Sequence, residues 1–310
     1  MGDEHILLVG GTMLDTKGKP TRGLVPNTSN PGFIRSTRGG TARNVAENLA
    51  RFGANAILMS AVGDDATGRQ LLEQTAVSGV NIEYVQTIAG ENSGAYIALL
   101  DADGSLSVAL DDVRVMRHIT PEYLYRHRRL FRDAQMVLVD GSLTKDALAT
   151  AVRLCQKYNT PLCADPSSTR LAHRLCPYIP DLSLVVPNEA EAAELCGVIF
   201  QGNTPEANMN VARQLVQLGV EVAVITMSDY GLAFATFDET GYLPANYTEK
   251  VDSTGSGDAV TAAIIFGLMN ELSPVEAIRL GAAAGSLTLQ TSETVVPDLS
   301  LDMLYEHLIV

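Results

Sequence analysis

The sequence predicts an α/β protein built on a mostly parallel sheet with helices on both faces. Three observations predict it. Short, almost continuously apolar runs occur at residues 6–10, 56–62, 136–140, 162–165, 184–187 and 222–226, the pattern of strands buried on both sides. Amphipathic stretches at 42–52, 145–158, 189–196 and 206–218 lie between or after them. Gly53, Gly197 and Gly219 fall just past three of these stretches, where a left-handed residue closes a helix.

Taken in order, the first strand is followed by a region that breaks the alternation. Residues 12–38 carry Pro20, Pro26 and Pro31 among several Gly and Asn, with no helical period. Residues 95–100 and 106–110 flank Asp101-Ala102-Asp103-Gly104 and read as a β-hairpin. Together, 12–38 and 91–112 predict a small β-sheet lid projecting from the main layer, with Tyr96, Ala98, Leu106 and Val108 on an exposed apolar face. A second hairpin, 232–237 with 242–247, is expected to close the sheet edge. Ser273 and Pro274 mark a late helix start as cap and first residue. The whole chain, 1–310, reads as one domain.

Charge narrows the function. Lys and Arg total 22 against 36 Asp and Glu, a formal net charge of −14, the opposite of the basic face a nucleic-acid polymer requires. An anionic ligand must then be held by local donors or a metal against the overall field. No apolar run is long enough to span a bilayer, and Met-Gly-Asp-Glu-His is no signal peptide. Cys155, Cys163, Cys176 and Cys196 lack zinc spacing, which fits reduced thiols in a cytoplasmic protein.

The most informative segment is Asp252-Ser253-Thr254-Gly255-Ser256-Gly257-Asp258, followed directly by a small apolar helical run. Glycines at 255 and 257 permit positive φ and close approach to a ligand. The free N–H groups of the following helix point outward, and its dipole favours anions. A carboxylate beside an anion site calls for a reason, and proton acceptance is one. Taken alone, the stretch is equally a tight turn with Asp258 as a first-turn helix stabiliser. It is not a Walker loop, because no Gly-Lys-Ser/Thr occurs. Nor is it a dinucleotide fingerprint, because Val260 stands where a third glycine belongs.

Gly39-Gly40-Thr41-Ala42-Arg43-Asn44 enters the helix at 42–52 and is by itself a capped helix start. Jointly with 252–258, it closely resembles the signatures of the ribokinase-like (PfkB) sugar kinase family, over nearly the whole chain. The resemblance implies a three-layer α/β sandwich with a β lid, and ATP-dependent phosphorylation of a sugar or nucleoside hydroxyl. Asn30-Pro31-Gly32, the Gly-Gly-x-x-Arg-Asn form and the stretch from Gly90 to Asp101 are most similar to the branch that phosphorylates pseudouridine. Ribose, fructose or another nucleoside as acceptor stays open, as does a non-catalytic relative, although an intact Asp258 speaks against the last.

By this resemblance Asp258 is the catalytic base, and Gly255, Ser256 and Gly257 form the anion hole. Asp15, Asn30, Gly39, Gly40 and Asn44 lie on the acceptor side. A carboxylate and an amide together suit a diol. Asn188 and Glu191 match the family's Asn-x-x-Glu motif, bearing on Mg2+ and phosphate through water; the plain alternative is a solvated helix start. Thr226, Ser228, Gly231 and Ala282 fall on the ATP side, with Ser228 where the family usually has glycine. The small run 282–285 is either an adenine slot or a close helix contact. Asp252 and Thr254 occupy the positions of a monovalent cation site, possible for K+. Arg43 either reaches a ligand or pairs with Glu47 one turn on. The lid is expected to form a homodimer.

Overall fold

A computed structural model describes residues 4–199, 202, 204–245 and 250–308. The chain opens with β1 (His5–Val9) and leaves the main layer for an antiparallel pair, β2 (Met13–Pro20) and β3 (Gly32–Gly39). It returns through α1 (Thr41–Arg51), β4 (Ala56–Gly63), α2 (Ala66–Val77) and β5 (Val85–Ile88), and then adds β6 (Gly94–Leu100) and β7 (Leu106–Asp112) to the small sheet. Next come α3 (Pro121–Arg126), α4 (Arg128–Asp133), β8 (Ala134–Asp140), α5 (Lys145–Tyr158), β9 (Leu162–Asp165), α6 (Thr169–Ala172), β10 (Leu184–Val185) and α7 (Glu189–Cys196). The chain finishes with α8 (Pro205–Gln217), β11 (Val222–Thr226), β12 (Gly231–Thr236), β13 (Thr240–Pro244), α9 (Ser256–Met269), α10 (Pro274–Leu289) and α11 (Leu301–Glu306).

The main sheet has nine strands in the order β13-β12-β11-β10-β9-β8-β1-β4-β5. All neighbours are parallel except β11–β12 and β12–β13. Strand residues alternate between two cores, as period two demands. Leu7, Val9, Val137 and Val139 face α3, α4, α5, α7 and α8. Ile6, Leu8, Met136 and Leu138 face α1, α9, α10 and α11. The result is the expected three-layer sandwich. From β1 the chain builds one way through β4 and β5, then the other way from β8. The order therefore reverses between β1 and β8, and an open sheet gathers ligands beyond its strand ends at such a point.

Helix caps agree with the sequence. Gly197 closes α7 at φ 64°, and Ser273 makes a capping box with Glu276 at the start of α10. The strand expected at 184–187 is only two residues long, continued by an isolated bridge from Asn188 to Thr226. The edge hairpin turns earlier than expected, and residues 246 and 247 of its predicted second arm lie outside the described residues.

The lid is the four-stranded sheet β3-β2-β6-β7. Register pairs Asp15 with Tyr96 and Lys17 with Ala98, so these side chains share the face turned toward the main layer. This corrects the expected outer face, because Tyr96 and Ala98 point inward and Leu106 borders the cavity. Ile97 and Leu99, paired with Leu110 and Val108, point outward, with Ile34 beside them. Ile34 is 79% and Leu110 72% exposed. A one-residue shift in strand phase exchanges the two faces, and the sequence carried no anchor for that phase.

Candidate active site

A cavity of about 1040 Å³ lies between the lid and the carboxyl ends of the main strands. At its floor, α9 begins after Gly255, which stands at φ 82°. A side chain there would strike the carbonyl of Thr294, so the turn requires glycine on both counts. Gly257 differs from expectation. It lies inside the first turn of α9, not at positive φ, and a Cβ on it would meet no protein atom within 4 Å. Its missing side chain leaves open space above the first-turn N–H groups, which have no intrahelical partners. Ser256 Oγ donates to the carbonyl of Gly285 at 3.2 Å, tying α9 to α10.

Asp258 sits in that first turn. Desolvation raises its carboxyl to about 6, while a hydrogen bond from Asn44 and the charge of Arg43 oppose the rise. Asn44 Nδ2 donates to Asp258 Oδ2 at 2.6 Å. Asn44 Oδ1 in turn accepts from the Arg43 guanidinium, which fixes the amide with its NH2 toward Asp258. Arg43 is fully buried and pairs with Glu47 at 2.5 Å, so of its two predicted roles the intrahelical pair is the one formed. Arg51 and Arg38 reach the same carboxylate at 2.8 and 3.5 Å, and Ser78 Oγ donates to it at 2.9 Å.

Asp15 faces Asp258 from β2. It is buried, its Oδ1 packed against Gly39 without a hydrogen-bond partner, and the residue lines the cavity, where its other oxygen can accept from a ligand hydroxyl. Burial, then repulsion from Asp258, lifts Asp15 to about 7. Gly40, at φ 94°, starts α1 against the carbonyl of Gly11 and lines the cavity. Gly39 does not line it, because its absent Cβ makes room for the Asp15 carboxylate. Asn30 is also outside the site. Its side chain bonds Val25 and Thr28 within the lid's own loop, as asparagines in turns commonly do.

Strand ends supply further acids. Asp140 ends β8 and accepts from the backbone N–H of Gly11 (2.7 Å), Ala42 (3.1 Å) and Ser142 (2.9 Å), bracing the entry to α1 at the switch point. Asp165 ends β9, and burial followed by repulsion from Glu191 and Asp258 raises it well above the usual carboxylate range. Both had been visible as the last residues of predicted strands, and the strand-end rule applied there would have found them. Asn188 and Glu191 form a reciprocal capping box at 2.9 Å. Burial raises Glu191, and the buried Oε1 of Glu189 has no partner.

On the far side, Thr226, Ser228 and Gly231 line the cavity after β11. Ser228 adopts φ 50°, the left-handed region that glycine enters freely and serine does not. Ala282 lines the cavity from α10, while Gly281 and Gly285 press against Ile264 and Val260 of α9. The small run thus serves a helix contact on one side and open space on the other. Asp252 and Thr254 also border the cavity, and both bond Lys17 of the lid.

Residues 3–300 match the pfkB family carbohydrate kinase profile. The chain belongs to the PfkB family. Pseudouridine kinase of Escherichia coli (strain K12) is 32% identical to it over 299 residues, covering 96% of this chain and 94% of that protein. Guanosine-inosine kinase of Exiguobacterium acetylicum is 27% identical over 297 residues, covering 95% and 97%. Ribokinase of Arabidopsis thaliana, solved with ribose and ATP, has the same fold, with a TM-score of 0.85 at 21% identity and 98% of each chain covered. This PfkB chain is accordingly a phosphotransferase acting on an alcohol group of a sugar or nucleoside.

Proposed function

We propose that the protein transfers the γ-phosphoryl group of ATP to the 5′-hydroxyl of a ribosyl compound, with pseudouridine as the acceptor. One observation carries the transfer geometry. The Asp258 carboxylate, held by Asn44, and the N-terminal end of α9 share one cavity with the Asp15 carboxylate. A proton acceptor, an anion-receiving helix end and a hydroxyl acceptor are the parts that in-line phosphoryl transfer needs. The 32% identity to pseudouridine kinase supports the choice of acceptor.

In this reading Asp258 takes the 5′-hydroxyl proton as its oxygen attacks. Gly255 and Gly257 present N–H groups to the charge on the transferring group, each donor of this kind contributing ~3–4 kcal/mol in other enzymes, and Ser256, whose own N–H reaches the Ser253 carbonyl at 3.3 Å, holds the turn between them. Asp15, Gly40 and Asn44 hold the sugar hydroxyls. Thr226, Ser228, Gly231 and Asn188 line the phosphate side, and Ala282 leaves room for a flat base. Asp165, Glu189 and Glu191 crowd negative charge on one wall, and burial and mutual repulsion raise Asp165 and Glu191. Among the described residues no three acids converge on one metal position, so Glu191 would bear on magnesium through water. Bound there, magnesium would draw charge from the phosphate oxygens. The lid excludes water that would otherwise hydrolyse ATP.

The outward face of Ile34, Ile97, Leu99, Val108 and Leu110 suits pairing with the lid of a second copy, and light scattering showing only monomer at high concentration removes that part. ATP use and four free thiols fit a cytoplasmic setting. The acceptor is tested by an ATP-consumption screen across pseudouridine, uridine, guanosine, inosine, ribose and fructose. Selective turnover of pseudouridine is the expected result, and equal or better turnover of a purine nucleoside or a free sugar overturns the choice.

A further inference from the structure

The loop leading into α9 is gripped from the other sheet. Lys17, on lid strand β2, directs Nζ to both carboxylate oxygens of Asp252, at 2.7 and 2.6 Å, and to Thr254 Oγ1. Asp252 Oδ1 also accepts from the N–H and the hydroxyl of Thr254, each at 2.9 Å. The Lys17 and Asp252 side chains are only 21% and 26% exposed. An ammonium has three N–H donors, and three acceptor atoms surround this one.

Family resemblance would put a monovalent cation against Asp252 and Thr254. The side chains present do not fit one. Both Asp252 oxygens and the Thr254 hydroxyl are already engaged by a group of the same unit charge, and a second cation would sit against the ammonium. We propose that the Lys17 ammonium replaces a monovalent cation behind the phosphate-receiving loop, so that the lid itself supplies the charge and K+ does not activate the enzyme.

The physical role follows from position. Asp252 and Thr254 lie directly before Gly255, whose turn sets the first N–H groups of α9. A cation on the outer side of this turn neutralises Asp252, which would otherwise repel incoming phosphate, and stiffens the turn through Thr254. On β2 the side chains of Asp15 and Lys17 share one face two residues apart. One lid strand therefore touches both the proposed acceptor site and the phosphate loop. A free ion would be present whatever the lid does, whereas this charge arrives only with the lid in place.

The inference rests on the phosphoryl-transfer reading for its kinetic arm, and a thermal arm is independent of it. Turnover with the best acceptor, and thermal unfolding of the ligand-free protein, are measured in KCl, NaCl and choline chloride at equal ionic strength. The wild type is expected to vary by less than about twofold in turnover and to melt alike in all three salts. Lys17→Met is expected to lose about tenfold in turnover in choline, the size of a lost charge-assisted hydrogen bond. It should recover in KCl, and its melting temperature should rise selectively with K+. Strong K+ stimulation of the wild type overturns the proposal. So does a Lys17→Met protein equally active and equally stable in every salt. If Lys17→Met does not fold, the wild-type salt series decides alone, and if no acceptor is turned over, the melting series still does.

Discussion

Asn44 Nδ2 lies 2.6 Å from Asp258 Oδ2, joining residues 214 positions apart. The bond runs from the first turn of α1 to the first turn of α9, and Arg43, buried against Glu47, sets the direction of the Asn44 amide. Asp258 is thus a carboxylate kept ionisable in a desolvated position by one donor. Asp258→Asn is expected to fold normally, with turnover reduced about 10²–10⁴-fold and acceptor KM little changed. Near-normal kcat in steady-state assays would remove Asp258 from the role of base.

The same pair sets a pH dependence. Asp258 must be unprotonated to accept a proton, and burial has raised it to about 6. Turnover is therefore present above that value and lost as pH falls through it. Asn44→Ala removes a hydrogen bond to the charged form, so the acid limb should move to higher pH. A pH–rate profile with the limb unmoved in Asn44→Ala would separate the two residues functionally.

Stability of the ligand-free protein should run the other way. Asp15 is raised from 3.8 to about 7, chiefly by burial. Between those values the folded state keeps a proton that the unfolded chain has released, so stability is full below the lower value and declines as pH rises through the upper. Asp15→Asn should flatten the slope of unfolding free energy by up to about 1.4 kcal/mol per pH unit in this window. Urea titrations at several pH values measure it.

Glu47 holds the support beneath the site. Burial alone would raise its carboxyl, but Arg43, Arg51, Arg38 and Ser78 hold it below the usual range. Glu47→Gln leaves Arg43 buried beside a neutral partner, and about 3–5 kcal/mol of stability should be lost. A loss below 1 kcal/mol in denaturant unfolding would mean that Arg43 finds another partner.

Ser228→Gly tests the one departure from the family pattern on the nucleotide side. Its φ of 50° costs a non-glycine residue about 1–2 kcal/mol, partly offset by the greater freedom of unfolded glycine. The variant should be as stable as the wild type or up to about 1 kcal/mol more so, with no rise in KM for ATP. A clear rise in that KM would assign the Ser228 hydroxyl a part in holding phosphate.

The sequence by itself determined the layers, the helix caps, the lid's place in the chain and the two segments that meet at Asn44 and Asp258. Apolar period, glycine position and capping pairs are local properties, readable within a dozen residues. Tertiary structure alone decided which lid face turns inward, that Asn30 serves its own loop, and that Lys17 reaches Asp252. Each of these depends on strand register and on which strand lies beside which. A shift of one residue in β2 would carry Asp15 and Lys17 to the solvent face together, and nothing local in 12–38 forbids that shift. The packing of the lid over the main sheet does.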